Sequence, residues 1–230
     1  MAEGRISVVI PVLNDAAALR QAAPFLTLLR ARGHESIVVD GGSSDGSVAV
    51  ARSLADHVLE SAAGRARQMN AGAAVARHSM LWFVHADTRV EVEALNALES
   101  MAGDVRWGRF DVDLDAPEWA FRIIGGLMNW RSRVSGVATG DQAIFVPSDL
   151  FASVNGYLAI DLMEDIALSR ALKTQSAPVC LRVRVSASAR YWKKNGIVRS
   201  VLTMWGLRLA YRLGAHPARL HALYYGRPSV

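Results

Sequence analysis

Three acidic clusters in this 230-residue chain sit where carboxylates can do chemistry. The first is Asp40-Gly41-Gly42-Ser43, directly after the apolar run Ser36-Ile37-Val38-Val39. A carboxylate there can accept hydrogen bonds from a nucleobase imide or from ribose hydroxyls, and Gly41 lets a ligand approach the backbone closely. The plainer alternative is an Asp-Gly turn followed by a helix cap, a role that also suits Asp45. The second cluster is His85-Ala86-Asp87, after Met80-Leu81-Trp82-Phe83-Val84. Two residues apart at a strand exit, His85 and Asp87 can face one side and share an ion. Mg²⁺ takes oxygen ligands, often one or two carboxylates plus substrate phosphates, and Mn²⁺ tolerates imidazole more readily. A strand-end histidine bonded to a backbone carbonyl is the structural alternative for His85. The third cluster, Glu164-Asp165, opens a helical stretch. It serves either as a cap complementing the helix dipole or as a general base for a substrate hydroxyl within reach. Gly140-Asp141-Gln142 can bond a sugar or acceptor. Arg65, Arg67, Arg190, Lys193 and Lys194 can pair with phosphates, although most exposed basic residues only solvate a surface.

These residues need elements that present them. Strand signals fall at residues 6–10, closed by Pro11, and at 36–39, 57–60 and 80–84. Helical stretches fall at 16–31, 47–55, 65–76 and 91–101. Strands alternating with helices over short links predict a mainly parallel sheet covered on both sides. In such sheets ligands collect beyond the carboxyl ends of the strands, where Asp40 and Asp87 stand, so an enzyme is the leading reading. After Gly103 the pattern changes. Residues 106–114 alternate as a half-exposed strand, 118–130 read as a helix and 131–141 as a mobile Gly-, Ser- and Arg-rich loop. Residues 143–146 and 179–183 read as strands, 164–172 and 197–213 as helices. The last helix offers Val198, Val201, Leu202, Trp205, Leu209 and Leu213 to one broad face, for packing on the core or for a membrane interface. The expected organisation is one domain over residues 1–190, with a nucleotide-binding half to about 102 and an acceptor half after it, and a basic helical extension over 191–230.

Composition narrows the class. At 51% hydrophobic and 20% charged residues the chain is globular, not disordered. A single cysteine, Cys180, within a strand-like run, reads as a packing thiol in a reducing, cytoplasmic setting. The start, Met1-Ala2-Glu3-Gly4-Arg5, leads straight into a strand with no secretory signal pattern. No uncharged apolar run reaches the roughly 18 residues of a spanning helix. Charge is split along the chain: the first 165 residues hold 21 acids and 14 bases, the last 65 hold 12 bases and no acid. That tail predicts an anionic partner, such as phosphate groups or the inner face of a membrane, or a return onto the acidic part. Nucleic acid is disfavoured, because no nucleic-acid motif accompanies the tail's aromatic residues.

Ile10-Pro11-Val12-Leu13-Asn14-Asp15, Val38-Val39-Asp40-Gly41-Gly42-Ser43-Ser44-Asp45-Gly46, Phe83-Val84-His85-Ala86-Asp87 and Glu164-Asp165 together resemble family 2 glycosyltransferases, in the family's order. The stretches Gly64-Arg65-Ala66-Arg67-Gln68-Met69-Asn70 and Phe83 to Arg89 look closest to a short bacterial subgroup sometimes linked with arsenosugar biosynthesis. The resemblance implies a GT-A, Rossmann-like α/β fold. It implies transfer of a hexose or pentose from a nucleotide-diphosphate sugar to an acceptor, small or lipid-linked, with inversion. It also implies that Pro11, Asn14 and Asp40 line the nucleoside pocket and that Asp87 holds a Mg²⁺ or Mn²⁺ ion bound to the diphosphate. Asp165 would be the base, beside Glu164. His85 stands where the family's usual Asp-x-Asp has its first acid, and Arg190-Tyr191-Trp192 stands near the family's Arg-Trp position by acceptor and diphosphate. Two rivals come with it: a nucleotidyltransferase building a sugar nucleotide, disfavoured by the lack of a Gly-rich Lys- or Arg-bearing loop after the first strand, and a lipid- or nucleic-acid-binding module using the tail.

Overall fold

The computed structural model describes residues 4–101, 103 and 106–226. The first three residues of the expected amino-terminal start and the last four of the basic extension lie outside the described residues. Seven strands form one mixed sheet in the order β3-β2-β1-β4-β6-β5-β7. They are β1 (Ile6–Val12), β2 (Glu35–Asp40), β3 (His57–Glu60), β4 (Met80–Phe83), β5 (Gly108–Leu114), β6 (Phe145–Pro147) and β7 (Val179–Ala187). β6 runs antiparallel to both its neighbours, and all other pairs are parallel. The connections leave β1 on both sides, toward β2 and toward β4, so the strand order reverses between β1 and β4. That is where doubly wound sheets open a ligand crevice.

β1 is buried along its whole length and continues through Pro11, beyond the expected stop. Val9 accepts a backbone bond from Val84 while Val12 accepts one from Gly41. Pro11, in phase with Val9, therefore turns its missing N–H toward β4, and pairing on that side ends at Val9 with Phe83. No ladder bond is lost. The helix expected over 16–31 is two helices, α1 (Ala16–Gln21) and α2 (Ala23–Ala31). Pro24 divides them, sitting in the first turn of α2 where its absent N–H is not needed. Next come α3 (Ser47–Leu54), α4 (Arg65–Val75) and α5 (Val92–Glu99). One apolar cluster on Val8, Ile10 and Trp82 and another on Val9, Leu81 and Phe83 fill the two faces of the sheet.

The second half departs further from expectation. β5 is not half-exposed. Its alternation is real, but α6 (Trp119–Ser135) covers the polar side. Arg109 on that side is fully buried, donating to Ser132 Oγ at 3.1 Å and to the Asn129 carbonyl at 3.0 Å, and pairing with Asp111. Asp111 also takes Arg133 Nη2 at 2.7 Å. A buried ion pair with its hydrogen bonds met reads, in sequence, like a solvated face. Nor is 131–141 a mobile loop. Residues 131–135 complete α6, Gly136 ends it at φ 64°, and Gly140–Gln142 forms a 3-10 turn with Gln142 buried. Within this stretch Ser132 is buried and Arg131 partly so, while Arg133 reaches back to Asp111 from the surface.

The remaining helices are α7 (Ser148–Ser153), α8 (Glu164–Lys173), α9 (Arg190–Asn195), α10 (Ile197–Arg212) and α11 (Pro217–Tyr225). α10 settles its two readings in one respect: its broad apolar face is not packed on the core. Val198, Leu202, Trp205, Leu209 and Leu213 are exposed, and the helix is anchored instead by Ser200 and Leu207. Among the described residues no helix is long and apolar enough to cross a membrane. Cys180 is a free, partly buried thiol.

Candidate active site

The carboxyl ends of β1, β2 and β4 carry the first group of residues. Asp40 closes β2 and is buried. Its Oδ2 accepts from Gly42 N and Ser43 N, each at 2.8 Å, while its Oδ1 is buried with no hydrogen-bond partner among the described residues. A buried acceptor left open is costly unless a ligand completes it. Asn14, at φ 52°, ties this loop to the one after β1: its Oδ1 accepts from Ser44 N and its own N–H donates to Ser43 Oγ, both at 2.8 Å. Asn tolerates that left-handed conformation better than most residues. Pro11 lies buried in β1 beside them. Asp45 takes the capping role: it accepts from Ala16 N at 3.0 Å and from Ser47 N at 3.0 Å, and these bonds, Ala16 foremost, hold its pKa below the usual carboxylate value.

Gly41 has a further reason to be glycine. A Cβ there would lie 3.1 Å from the Gln68 amide, and Gln68 Nε2 bridges the Val12 and Val39 carbonyls at 2.8 Å each. Sequence reasoning did not single out Gln68. Its one signal is a polar residue on the inward face of an Ala-rich helix.

A cavity of about 860 Å³ opens beyond β4, walled by α6, α8 and α10. It gathers Arg65, His85, Asp87, Asp141, Glu164 and Asp165, which come from four separate stretches of chain. A smaller cavity of about 160 Å³, by Arg5 and Ser79 at the amino-terminal edge of the sheet, holds no such cluster. Asp165 is fixed by its neighbours: Oδ2 accepts from Gly140 N at 2.9 Å and Oδ1 from Ile166 N at 2.7 Å. Met163, which precedes α8, has φ 72°, a left-handed conformation that a methionine adopts only under constraint. It turns the first residues of α8 toward the cavity. Gly140 packs against His85 so closely that a Cβ would lie 2.4 Å from His85 Cε1. His85 Nδ1 lies 3.6 Å from Asp141 Oδ1. Burial raises the Asp141 pKa, but His85, Arg65 and Arg208 more than offset this and hold it below the ordinary value.

Asp87 turns elsewhere. Its Oδ2 pairs with Arg190 Nη2 at 3.3 Å, and Arg190 also grips Asp15 Oδ2 at 2.6 Å. Arg190 thus spans the loops on either side of the β1–β4 crevice. His85 and Asp87 face different partners, and among the described residues no group of three or more His, Cys, Asp or Glu is arranged to hold a metal ion by itself. Asp87 remains suited to a cation whose other ligands are phosphate oxygens. Four further candidates, Arg67, Asn70, Lys193 and the exposed Lys194, do not line the cavity. Arg67 donates to the Ala63 carbonyl at 2.9 Å. Asn70 uses both ends of its amide on the Tyr157 backbone, at 2.7 and 2.9 Å. Lys193 lies 3.8 Å from Glu118.

Glu164 is 6% exposed, and burial, reinforced by the charge of Asp165, raises its pKa from 4.5 to about 7. Its proton therefore stabilises the fold fully below pH 4.5, and that contribution disappears as pH rises through about 7. Glu164→Gln is expected to abolish this dependence. Chemical unfolding of both proteins from pH 4 to 8 checks it: the native protein should lose on the order of 3 kcal/mol relative to the variant across the window. Parallel curves would refute the buried-carboxyl assignment.

Two arginines on the cavity wall, Arg131 and Arg208, were not foreseen. Arg131 was hidden in the supposed loop. Arg208 had only the weak signal of a cation amid apolar helix residues.

The architecture is that of GT-A glycosyltransferases. The chain is similar in fold to the fragment 1-349 of S. aureus TarS, with TM-score 0.62 and 13% identity, over 80% of this chain and 60% of that one. It is likewise similar to the mannosyltransferase PcManGT of Pyrobaculum calidifontis, solved with GDP-Man and Mn²⁺: TM-score 0.63, 16% identity, over 100% of this chain and 66% of that one. Glucosyl-3-phosphoglycerate synthase of Mycobacterium tuberculosis, solved with Mn²⁺, UDP and glucosyl-3-phosphoglycerate, gives TM-score 0.57 at 15% identity, over 81% and 71% of the two chains. This chain thus spans less than two thirds of the first two. In sequence, the pattern of Glycosyl transferase family 2 matches residues 7–116. An uncharacterized glycosyltransferase present in two strains of Mycobacterium tuberculosis is 32% identical over 194 residues, covering 78% of this chain and 71% of the relative. The chain belongs to family 2 of the glycosyltransferases.

Proposed function

We propose that the protein transfers a sugar from a nucleotide-diphosphate donor to an acceptor hydroxyl with inversion at the anomeric carbon, using Asp165 as base. The observation that carries this reading is Asp165 itself: a carboxylate fixed by Gly140 N–H in a cavity shared with Asp87 and lined by arginines. The nucleoside sits at the ends of β1 and β2, where the open Oδ1 of Asp40 accepts a base or ribose donor. Arg190 and Arg65 face the diphosphate. Asp87, with His85 two residues away, would hold a divalent cation bound with the donor. Such a cation neutralises charge on the leaving diphosphate, in keeping with the Mn²⁺ in two of the similar structures. The acceptor oxygen bonds to the anomeric carbon as the bond to the diphosphate oxygen breaks, and the acceptor proton passes to the Asp165 carboxylate. The basic α9–α10 segment, with Lys193, Lys194, Arg199 and Arg212 exposed, fits work at an anionic membrane face. Flotation with anionic vesicles tests that; protein left at the bottom of the gradient contradicts it.

A hydrolysis screen over UDP-, GDP- and TDP-sugars, with Mg²⁺, Mn²⁺ or EDTA, tests the reaction class. Metal-dependent release of one nucleoside diphosphate is expected; release of pyrophosphate from a triphosphate would point to the nucleotidyltransferase instead. Gly140→Ala supplies a geometric check. The added Cβ must displace the His85 ring or the turn, and with the turn the N–H that holds Asp165. Misplacement by about 1 Å costs roughly 10²-fold in rate, so transfer should fall by that order while nucleotide binding persists. Undiminished transfer would show that the Gly140 contact does not position the base.

A further inference from the structure

The cavity continues past the acids into a groove between α6 and α10 whose lining changes character. On α6, Trp119, Ile123, Leu127, Trp130 and Val134 are exposed at helical spacing. On α10, Val198, Leu202, Trp205, Leu209 and Leu213 repeat the pattern. Single exposed apolar residues are ordinary, but two stripes bordering one opening are not. Leu127 and Trp130 on one side, and Leu202, Trp205 and Leu209 on the other, line the same cavity as Asp165. The inner face of α6 holds the helix to the sheet through buried Phe121 and Ile124 and through Asn129 and Ser132 bonded to β5, so the outer stripe is not needed for that.

Two guanidinium groups, Arg131 of α6 and Arg208 of α10, line the same cavity as the apolar groove and the acids. Arg131 Nε and Nη2 are buried and have no hydrogen-bond partner among the described residues. Arg208 lines the cavity beside it and makes no hydrogen bond or ion pair among the described residues. Burial and the mutual proximity of the two lower the pKa of Arg131 to about 10, with Asp165 and Asp141 opposing the shift. A buried cationic donor without a partner, as on Arg131, is costly, and an anion held between it and the half-buried Arg208 removes the cost. Arg190, by contrast, already spans Asp15 and Asp87 on the donor side.

We infer that the acceptor is an anionic amphiphile, its charged group held by Arg131 and Arg208 and its apolar chain lying between α6 and α10. The inference rests on the reading of Asp165 as the acceptor-side base, and it names the class of molecule that reaches that base. The cavity volume of about 860 Å³ lies within the roughly 300–1,000 Å³ typical of small-ligand sites. Both features act together: the chain selects against free phosphate, and the guanidinium pair selects against neutral detergents.

Tryptophan fluorescence of the full chain provides the test, since Trp130, Trp192 and Trp205 line the cavity. Dodecyl phosphate, kept below its micellar concentration, is expected to shift the emission and to bind at least about tenfold more tightly than dodecyl maltoside. Inorganic phosphate should neither shift the emission nor compete. Arg208→Gln and Arg131→Gln should each erase the preference for the phosphate head while leaving dodecyl maltoside binding as it was. Leu127→Asn combined with Leu202→Asn, at exposed positions that the fold does not need, should weaken both amphiphiles. Equal binding of charged and neutral amphiphiles would reduce the groove to a greasy surface and overturn the inference. Loss of UDP or GDP binding, not of dodecyl phosphate binding, in the arginine variants would assign the pair to the donor and overturn it as well. Thermal stabilisation of the native protein by UDP or GDP reports the nucleotide site alone. Its failure would sink the transferase reading while leaving the amphiphile result to be judged on its own.

Discussion

Asp165→Asn is expected to lower sugar transfer by roughly 10²- to 10⁴-fold, the usual worth of a general base, while nucleotide binding stays intact. The substitution is well suited to the question because an amide oxygen still accepts the Gly140 N–H at 2.9 Å and holds the turn, at the cost of the bond from Ile166 N, which the amide nitrogen cannot accept. What the amide cannot do is take the acceptor's proton. Donor hydrolysis and transfer, measured side by side with the melting temperature, separate loss of chemistry from loss of fold. Glu164→Gln should cost far less in transfer: with its pKa raised to about 7 by burial, Glu164 is already largely protonated at slightly acidic pH. Near-normal turnover by Asp165→Asn, or a larger loss in Glu164→Gln, would move the base assignment away from Asp165.

Asp87→Ala is the second large effect. Removing it deletes the carboxylate offered to the cation and one of the two acids that hold Arg190 across the crevice, the other being Asp15. Donor affinity with Mg²⁺ or Mn²⁺ present should fall by at least about 10- to 100-fold, the range seen when even outer partners of a metal ligand are removed. EDTA should bring the native protein down to the variant's level, so that the two become indistinguishable. Calorimetry giving the variant native affinity with metal present would remove Asp87 from the donor site. A fall that persisted equally in EDTA would assign its effect to Arg190 instead.

Much of this molecule was legible as sequence because its first half is built from local signals. Strands such as Ser36-Ile37-Val38-Val39 and Met80-Leu81-Trp82-Phe83 are apolar runs buried on both faces, and a polar turn follows each at the sheet's carboxyl edge. Asp40 and Asp87 could be located from that punctuation alone. The second half resisted for a physical reason. A buried Arg109 with its hydrogen bonds met looks the same in sequence as a solvated one. A helix whose last turns hold Arg131-Ser132-Arg133 looks like a polar loop until its partners are known.

The residue sequence by itself determined the alternation of strands and helices, the acids at strand ends and the one-sided charge of the tail, since each depends only on neighbours along the chain. The tertiary structure alone decided which groups meet. It set Gly140 against His85 and Asp165, turned Arg190 onto Asp15 and Asp87 from 175 and 103 positions away, and faced the stripes of α6 and α10 across one opening. Such meetings are fixed by the packing of distant elements, and no spacing in a linear chain encodes them.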